Sequence, residues 1–260
     1  MQTVGVDLSA ETKDTWVATI EWTAGGARLV DLQGNVRDEQ IVDAAQAAAK
    51  VGIDCPFGWP DLFVDFVTQH RNGDVGAQGG IPKDWRRNLA NRVTDLAVRT
   101  AVQPRKLNPL SVSADRIAHT AFRCAALLAR LKVAGVEVDR SGVAGTVVEI
   151  YPAASLLMWN LPHGGYKGGT NAAVLAGLVC QLLSPQHAPW LDLGPWSAMC
   201  RENDDAFDAV VAALSARAAA RGLAITPNAN QLREAKTEGW IAVPVEGSLA
   251  MLVSQDSIGA

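Results

Sequence analysis

Three acidic points along this chain sit where acids are costly. "TVGVDLS" and "VGIDCPFG" are short apolar runs that end on Asp7 and Asp54. "RENDDAFDAVVAALSAR" (201–217) is alanine-rich and helical in composition, yet its first two turns carry Glu202, Asp204, Asp205 and Asp208. A further acid, Glu149, interrupts the apolar "TVVEIYP" (146–152). Carboxylates in such surroundings are unfavourable unless paired, hydrogen-bonded or metal-bound. Neighbouring carboxylates also repel, by about 4 kcal/mol per pair at ~4 Å and an effective dielectric near ~20. A divalent cation relieves both penalties, and Mg2+ favours one or two carboxylates together with waters and phosphate oxygens. Nitrogen and sulfur ligands are not on offer. The four histidines form no ligand spacing, and the four cysteines include no C-x-x-C, which argues against structural zinc or a disulfide framework.

The acids of 201–217 have a competing explanation. Asn203 or Asp204 can cap free N–H groups, and early carboxylates favour the positive end of a helix dipole. Asp208 fits that explanation least, because it lies beyond the first turn. At about 100° per residue, Phe207, Val210, Val211, Leu214 and Ala218 form the buried stripe, with Asp208 at its edge and Asp205 farther round. Asp205 and Asp208 are close enough to share one ion; Asp204 and Asp208 are too. Periodicity leaves both pairs open.

These acids need elements to position them. Strand-like runs at 3–9, 15–22 and 27–33, the last two separated by Gly25-Gly26, predict an antiparallel meander with a hairpin. A helix over 38–50 then leads to a fourth strand from 51, and a helical crossover makes flanking strands parallel. If the first and fourth strands are parallel neighbours, Asp7 and Asp54 face one crevice at the carboxyl ends, where open α/β sheets bind ligands. Residues 61–140 read as mainly helical and irregular, with the clearest helix at 115–135. A strand at 146–152, a helix at 171–184 and a short strand at 239–244 follow. The expectation is a single α/β domain over 1–260, with a mixed five-stranded sheet, flanking helices and a helical insertion at 61–140.

Six blocks, "GVDLSAETK", "IDCPFGWP", "EIYPAAS", "GYKGG", "DDAFDAVVAA" and "EGWIAVP", together resemble a family of uncharacterised prokaryotic proteins described as predicted nucleases of ribonuclease-H-like fold. The acidic helix is also similar to the Asp-x-x-Asp-Ala start of Holliday-junction resolvases, which matches Asp205-Ala-Phe-Asp208-Ala209 and so favours Asp205 over Asp204. The resemblance implies a catalytic set of Asp7, Asp54, Asp205 and Asp208 holding Mg2+ or Mn2+, and two-metal hydrolysis of phosphodiester bonds in DNA or RNA. Resolvases usually have Glu where Asp54 stands. Glu149 has no counterpart among them and is carried as a fifth candidate metal ligand.

For a phosphate backbone, residues 83–106 hold seven basic side chains against two acids, with Trp85 interleaved; this is a candidate strip for backbone contact and base stacking. Within it Arg92, in "RVTD", is the candidate substrate-binding residue. Lys167 in the glycine-rich "HGGYKGG" (163–169) is a second candidate: the loop lacks a P-loop ending, but its N–H groups can hold phosphate.

A net charge of −4 argues against a general nucleic-acid coating protein, though not against a local basic groove. No secretion signal and no run of about eighteen apolar residues is visible, so neither export nor a membrane span is expected and a cytoplasmic setting is. In that reducing setting the thiols are expected to be small buried groups. Two other functions compete. A sugar-kinase or actin-like phosphotransferase shares the strand order but usually places glycine soon after the first-strand acid, where this chain has Leu8-Ser9-Ala10. A non-catalytic nucleic-acid-binding scaffold would not need to keep the four aspartates.

Overall fold

A computed structural model describes residues 1–75 and 83–253, with Lys83 described by its backbone alone. Among the described residues six strands form one sheet: β1 (Gln2–Asp7), β2 (Trp16–Trp22), β3 (Ala27–Gly34), β4 (Lys50–Asp54), β5 (Val147–Glu149) and β6 (Leu191–Asp192). The order across it is β5-β4-β1-β2-β3-β6. β1, β2 and β3 pair antiparallel, whereas β4, β5 and β6 join in parallel. The sheet therefore has six strands rather than the expected five. The extra strand, β6, is two residues long, too short to leave an alternating pattern. The expected strand at 239–244 contributes only isolated bridges, Ile241 to Glu149 and Pro244 to Ala224.

Ten helices accompany the sheet among the described residues: α1 (Asp38–Ala47), α2 (Asp61–Asn72), α3 (Lys83–Ala90), α4 (Val93–Ala101), α5 (Ala118–Val133), α6 (Pro152–Met158), α7 (Ala172–Leu182), α8 (Ser197–Glu202), α9 (Asp204–Ala220) and α10 (Leu232–Glu238). Strand alternation sorts the β1 side chains between two cores. Val4 and Val6 join α1 and α5 in one apolar layer, with Ile41, Leu127 and Leu131 at its centre. On the opposite face α7 and α9 cover the sheet through Leu178, Val210 and Leu214. The described residues of 61–140, which exclude 76–82, are thus helical in four segments, and the last of these, α5, is itself a layer of the core. Cys55, Cys124 and Cys200 are buried as expected of apolar thiols, whereas Cys180 is exposed. No helix among the described residues is long and apolar enough to cross a membrane.

Helix α9 is the element the site depends on. It runs buried for most of its length, Ala206 through Ala218, because small alanines let its backbone approach the sheet. Asn203 caps it, accepting a hydrogen bond from the Ala206 N–H at 2.8 Å.

Candidate metal centre

β1 and β4 lie in register, with Gly5 opposite Gly52 and Asp7 opposite Asp54. Each aspartate shares a face with the glycine two residues before it, and α9 covers that face. A Cβ on Gly5 would collide with the Ala209 carbonyl oxygen and the Ala213 nitrogen, and one on Gly52 would lie 2.6 Å from the Ala212 oxygen. The two absent side chains let the helix backbone rest directly on the strands. The Thr3 hydroxyl pins the contact by donating to the Ala213 carbonyl at 2.9 Å. Because Ala213 sits over Thr3 and Gly5, the start of α9 falls at the carboxyl ends of β1 and β4.

That geometry brings Asp208 to Asp7 and Asp54: one oxygen from each of the three carboxylates lies within 4.8 Å of the other two. Asp208 is fully buried, and Asp7 and Asp54 are partly so. Burial, then the charges of Asp208 and Asp54, push the Asp7 carboxyl well above the usual range. Burial likewise pushes Asp54 up to about 7, with Lys167 opposing and Asp208 and Glu149 adding to the rise. Asp208 is raised by burial too, while Lys167 and Tyr166 hold it down. Burial and mutual repulsion outweigh the one nearby ammonium, Lys167, which opposes the rise at all three acids. Three converging oxygens suit an oxygen-seeking divalent ion such as Mg2+ or Mn2+.

Both oxygens of Asp208 have partners on the glycine-rich loop. The Tyr166 hydroxyl donates to Oδ1 at 2.8 Å, and the Lys167 ammonium lies 2.5 Å from Oδ2. Tyr166 is buried edge-on against Phe207, with ring centroids 6.1 Å apart. The Lys167 side chain is 56% exposed, and nearby acids, Asp208 foremost, favour its charged form against the desolvation of the ammonium. Asp205, expected in the catalytic set, is not one of the three converging acids; it is partly buried, its carboxyl raised by burial and by Asp204. Asp204 instead accepts from the Gly168 N–H at 3.3 Å, tying the loop to the helix start.

Glu149 and Arg92 require correction. Arg92 is buried at 2% exposure, and all five of its N–H donors have acceptors. Two reach Glu149, at 2.9 and 2.7 Å; two reach Asp95, at 3.4 and 3.0 Å; the last reaches the Glu238 carbonyl at 3.1 Å. None is left for phosphate. Glu149 is correspondingly occupied, since its Oε2 also accepts from the Phe57 N–H at 2.9 Å. The pair lines the cavity beside the acids as a structural ion pair, its donors and oxygens engaged by protein partners rather than by phosphate or metal. Gly239 makes room for it, at φ +90° and with a would-be Cβ 2.6 Å from Glu149. Glu238 secures the surroundings by accepting from the first N–H groups of α2 and α4, at Asp61 (2.9 Å) and Val93 (2.7 Å).

The rest of the basic strip is also dispersed. Arg99 donates to Asn91 at 2.7 Å, and Arg105 to the Leu157 carbonyl and Glu246, both at 2.9 Å. Trp85 packs edge-on against Phe66. Arg86, Arg87 and Lys106 remain exposed.

A cavity of about 290 Å3 opens beside the three acids. Asp7, Asp54, Tyr151, Lys167 and the Arg92–Glu149 pair contribute to its polar side, and Leu110 and Ile117 to its apolar wall. The Tyr151 phenol is pushed up to about 12, by burial first and then by Asp54. Tyr151 and Tyr166 escaped the sequence reading. The twice-repeated Val-Gly-x-Asp of β1 and β4 was the signal for the helix contact; nothing local marked the tyrosines.

No match was found among curated proteins or solved structures. A family model described as "Protein of unknown function (DUF429)" matches residues 5–232, a span that takes in the three converging aspartates, both glycines beneath α9 and the Tyr166-Lys167 loop. The chain belongs to the DUF429 family.

Proposed function

We propose that this protein is a divalent-metal-dependent nuclease, with Asp7, Asp54 and Asp208 as ligands of Mg2+ or Mn2+ and nucleic acid, DNA or RNA, as substrate. The observation that carries the reading is the convergence of three carboxylate oxygens within 4.8 Å from β1, β4 and α9. The order β3-β2-β1-β4-β5, antiparallel and then parallel, supports a ribonuclease-H-like fold, with the acids at the carboxyl ends of adjacent strands.

When bound, the cation would lower the pKa of an attacking water and offset charge developing on the phosphate. The chain supplies the rest. Asp7 and Asp54, partly exposed at the cavity, take the ion; Asp208, held by Tyr166, fixes the third oxygen. Asp205 stands nearby, adding negative charge that Asp7 senses. Of the two cations lining the cavity, Arg92 is engaged by protein acceptors, and the Lys167 ammonium is placed to attract a phosphodiester. Leu110 and Ile117 offer an apolar surface for a base or sugar.

The phosphotransferase reading has less support: the residue after Asp7 is Leu8, whose side chain is buried in the core rather than leaving room for nucleotide phosphates.

The test is cleavage of a panel of single-stranded, duplex and branched DNA and RNA with Mg2+ or Mn2+. The wild type is expected to cut at least one class, and Asp54→Asn and Asp208→Asn to cut none. Binding without cleavage would turn the reading towards a scaffold, and ATP-dependent phosphorylation towards a phosphotransferase.

A further inference from the structure

We infer that Lys167 is the second cation of this site, so that the protein binds one divalent ion where the expected mechanism would use two. The inference rests on the metal-centre reading and concerns how that centre is charged. The Lys167 ammonium stands 2.5 Å from Asp208 Oδ2 as an ion pair, and the Tyr166 hydroxyl donates to Oδ1, so Asp208 keeps one lone pair of Oδ1 for the first ion while Oδ2 already faces a cation. A second ion that used Asp208 would have to expel the ammonium.

The loop is built to keep it there. Tyr166 is 1% exposed in the core beside Phe207. On the other side of Lys167, the Gly168 N–H donates to Asp204. The Lys167 carbonyl accepts from the Asn171 side chain at 2.7 Å. With its backbone held on both flanks, the lysine needs only its own stem to reach the acids. Gly165 and Gly168, at φ +78° and +88°, permit the sharp path that turns Tyr166 and Lys167 inward.

Charge agrees with position. The three converging carboxylates and one ammonium sum to minus two, which a single divalent ion cancels, with the charge of Asp205 beside them. A second would leave the three-acid cluster positive until phosphate arrived. A lysine in this role also withstands chelators that would remove a metal.

The experiment counts Mn2+ ions bound per chain, by calorimetry and by electron paramagnetic resonance, in wild type, Lys167→Met and Lys167→Arg. Methionine keeps the apolar stem and removes the charge; arginine keeps the charge. The expected result is one ion in wild type and in Lys167→Arg, and two in Lys167→Met. Two ions in wild type would overturn the inference and leave the metal centre standing. So would one ion in both wild type and Lys167→Met, at unchanged affinity. No ion in any of the three would overturn the metal centre itself. A thermal unfolding curve on each variant establishes that the fold is retained.

Discussion

Replacing Asp54 with asparagine should make the metal-free protein more stable, although Asp54 is proposed to be functional. Burial is the main reason: it lifts this carboxyl from an ordinary 3.8 to about 7, with Asp208 and Glu149 adding to the rise against Lys167. The folded state then holds a proton that the unfolded chain has already released. A carboxyl raised in this way contributes its full stability below pH ~4 and loses it as pH climbs to about 7. At ~1.4 kcal/mol per unit, a rise of about three units amounts to about 4 kcal/mol lost between pH 4 and pH 8. Asparagine has no proton to lose. Its amide differs from a protonated carboxyl in its donors, so a gain of about 2–4 kcal/mol over wild type at pH 8 is the expected result. Urea unfolding in EDTA at pH 8 and pH 5.5 measures it, and the advantage should shrink towards the lower pH. Millimolar Mn2+ should reverse the order, because an ion bound only by the folded wild type stabilises it. An Asp54→Asn protein less stable than wild type at pH 8 in EDTA, or one with the same pH slope, would refute the argument that burial holds this carboxyl above its ordinary range.

Two more outcomes follow from the packing. Gly5→Ala, with its Cβ driven into the Ala209 and Ala213 backbone, should cost about 3 kcal/mol or more by overpacking; because Asp208 rides on the displaced helix, Mn2+ affinity measured by calorimetry should fall with it. Arg92→Ala strips a buried carboxylate of its partner and should cost about 3–5 kcal/mol in urea unfolding with no substrate present, whereas a residue serving only to contact phosphate would leave that curve unchanged.

What was legible in the sequence was local. An acid closing an apolar run is visible in "VGVD" and "VGID", and the Gly25-Gly26 turn fixes the β2–β3 hairpin. These suffice to place Asp7 beside Asp54 in the parallel β1–β4 pair. Helical periodicity put Asp208 at the edge of the buried stripe but could not weigh Asp204 against Asp205. The structure removes both from the converging trio, since one ties down a loop and the other stands aside. The remainder depends on contacts between distant segments. Arg92 looked like one cation of a basic strip, but its partner Glu149 is 57 residues away. Lys167 looked like a loop cation reaching for phosphate, and no local pattern links it to Asp208. β6 escaped because two residues carry no alternation. "GWIAVP" misled because its apolar composition reflects burial of Trp240, Ile241 and Val243 rather than a place in the sheet.

The most direct test of the metal centre is a crystal grown or soaked with Mn2+ and measured for its anomalous signal. Strong density within about 2.0–2.5 Å of oxygens from both Asp7 and Asp54, with Lys167 still seated on Asp208, is the predicted result. An empty site at millimolar Mn2+, with the three carboxylates unmoved, would contradict it.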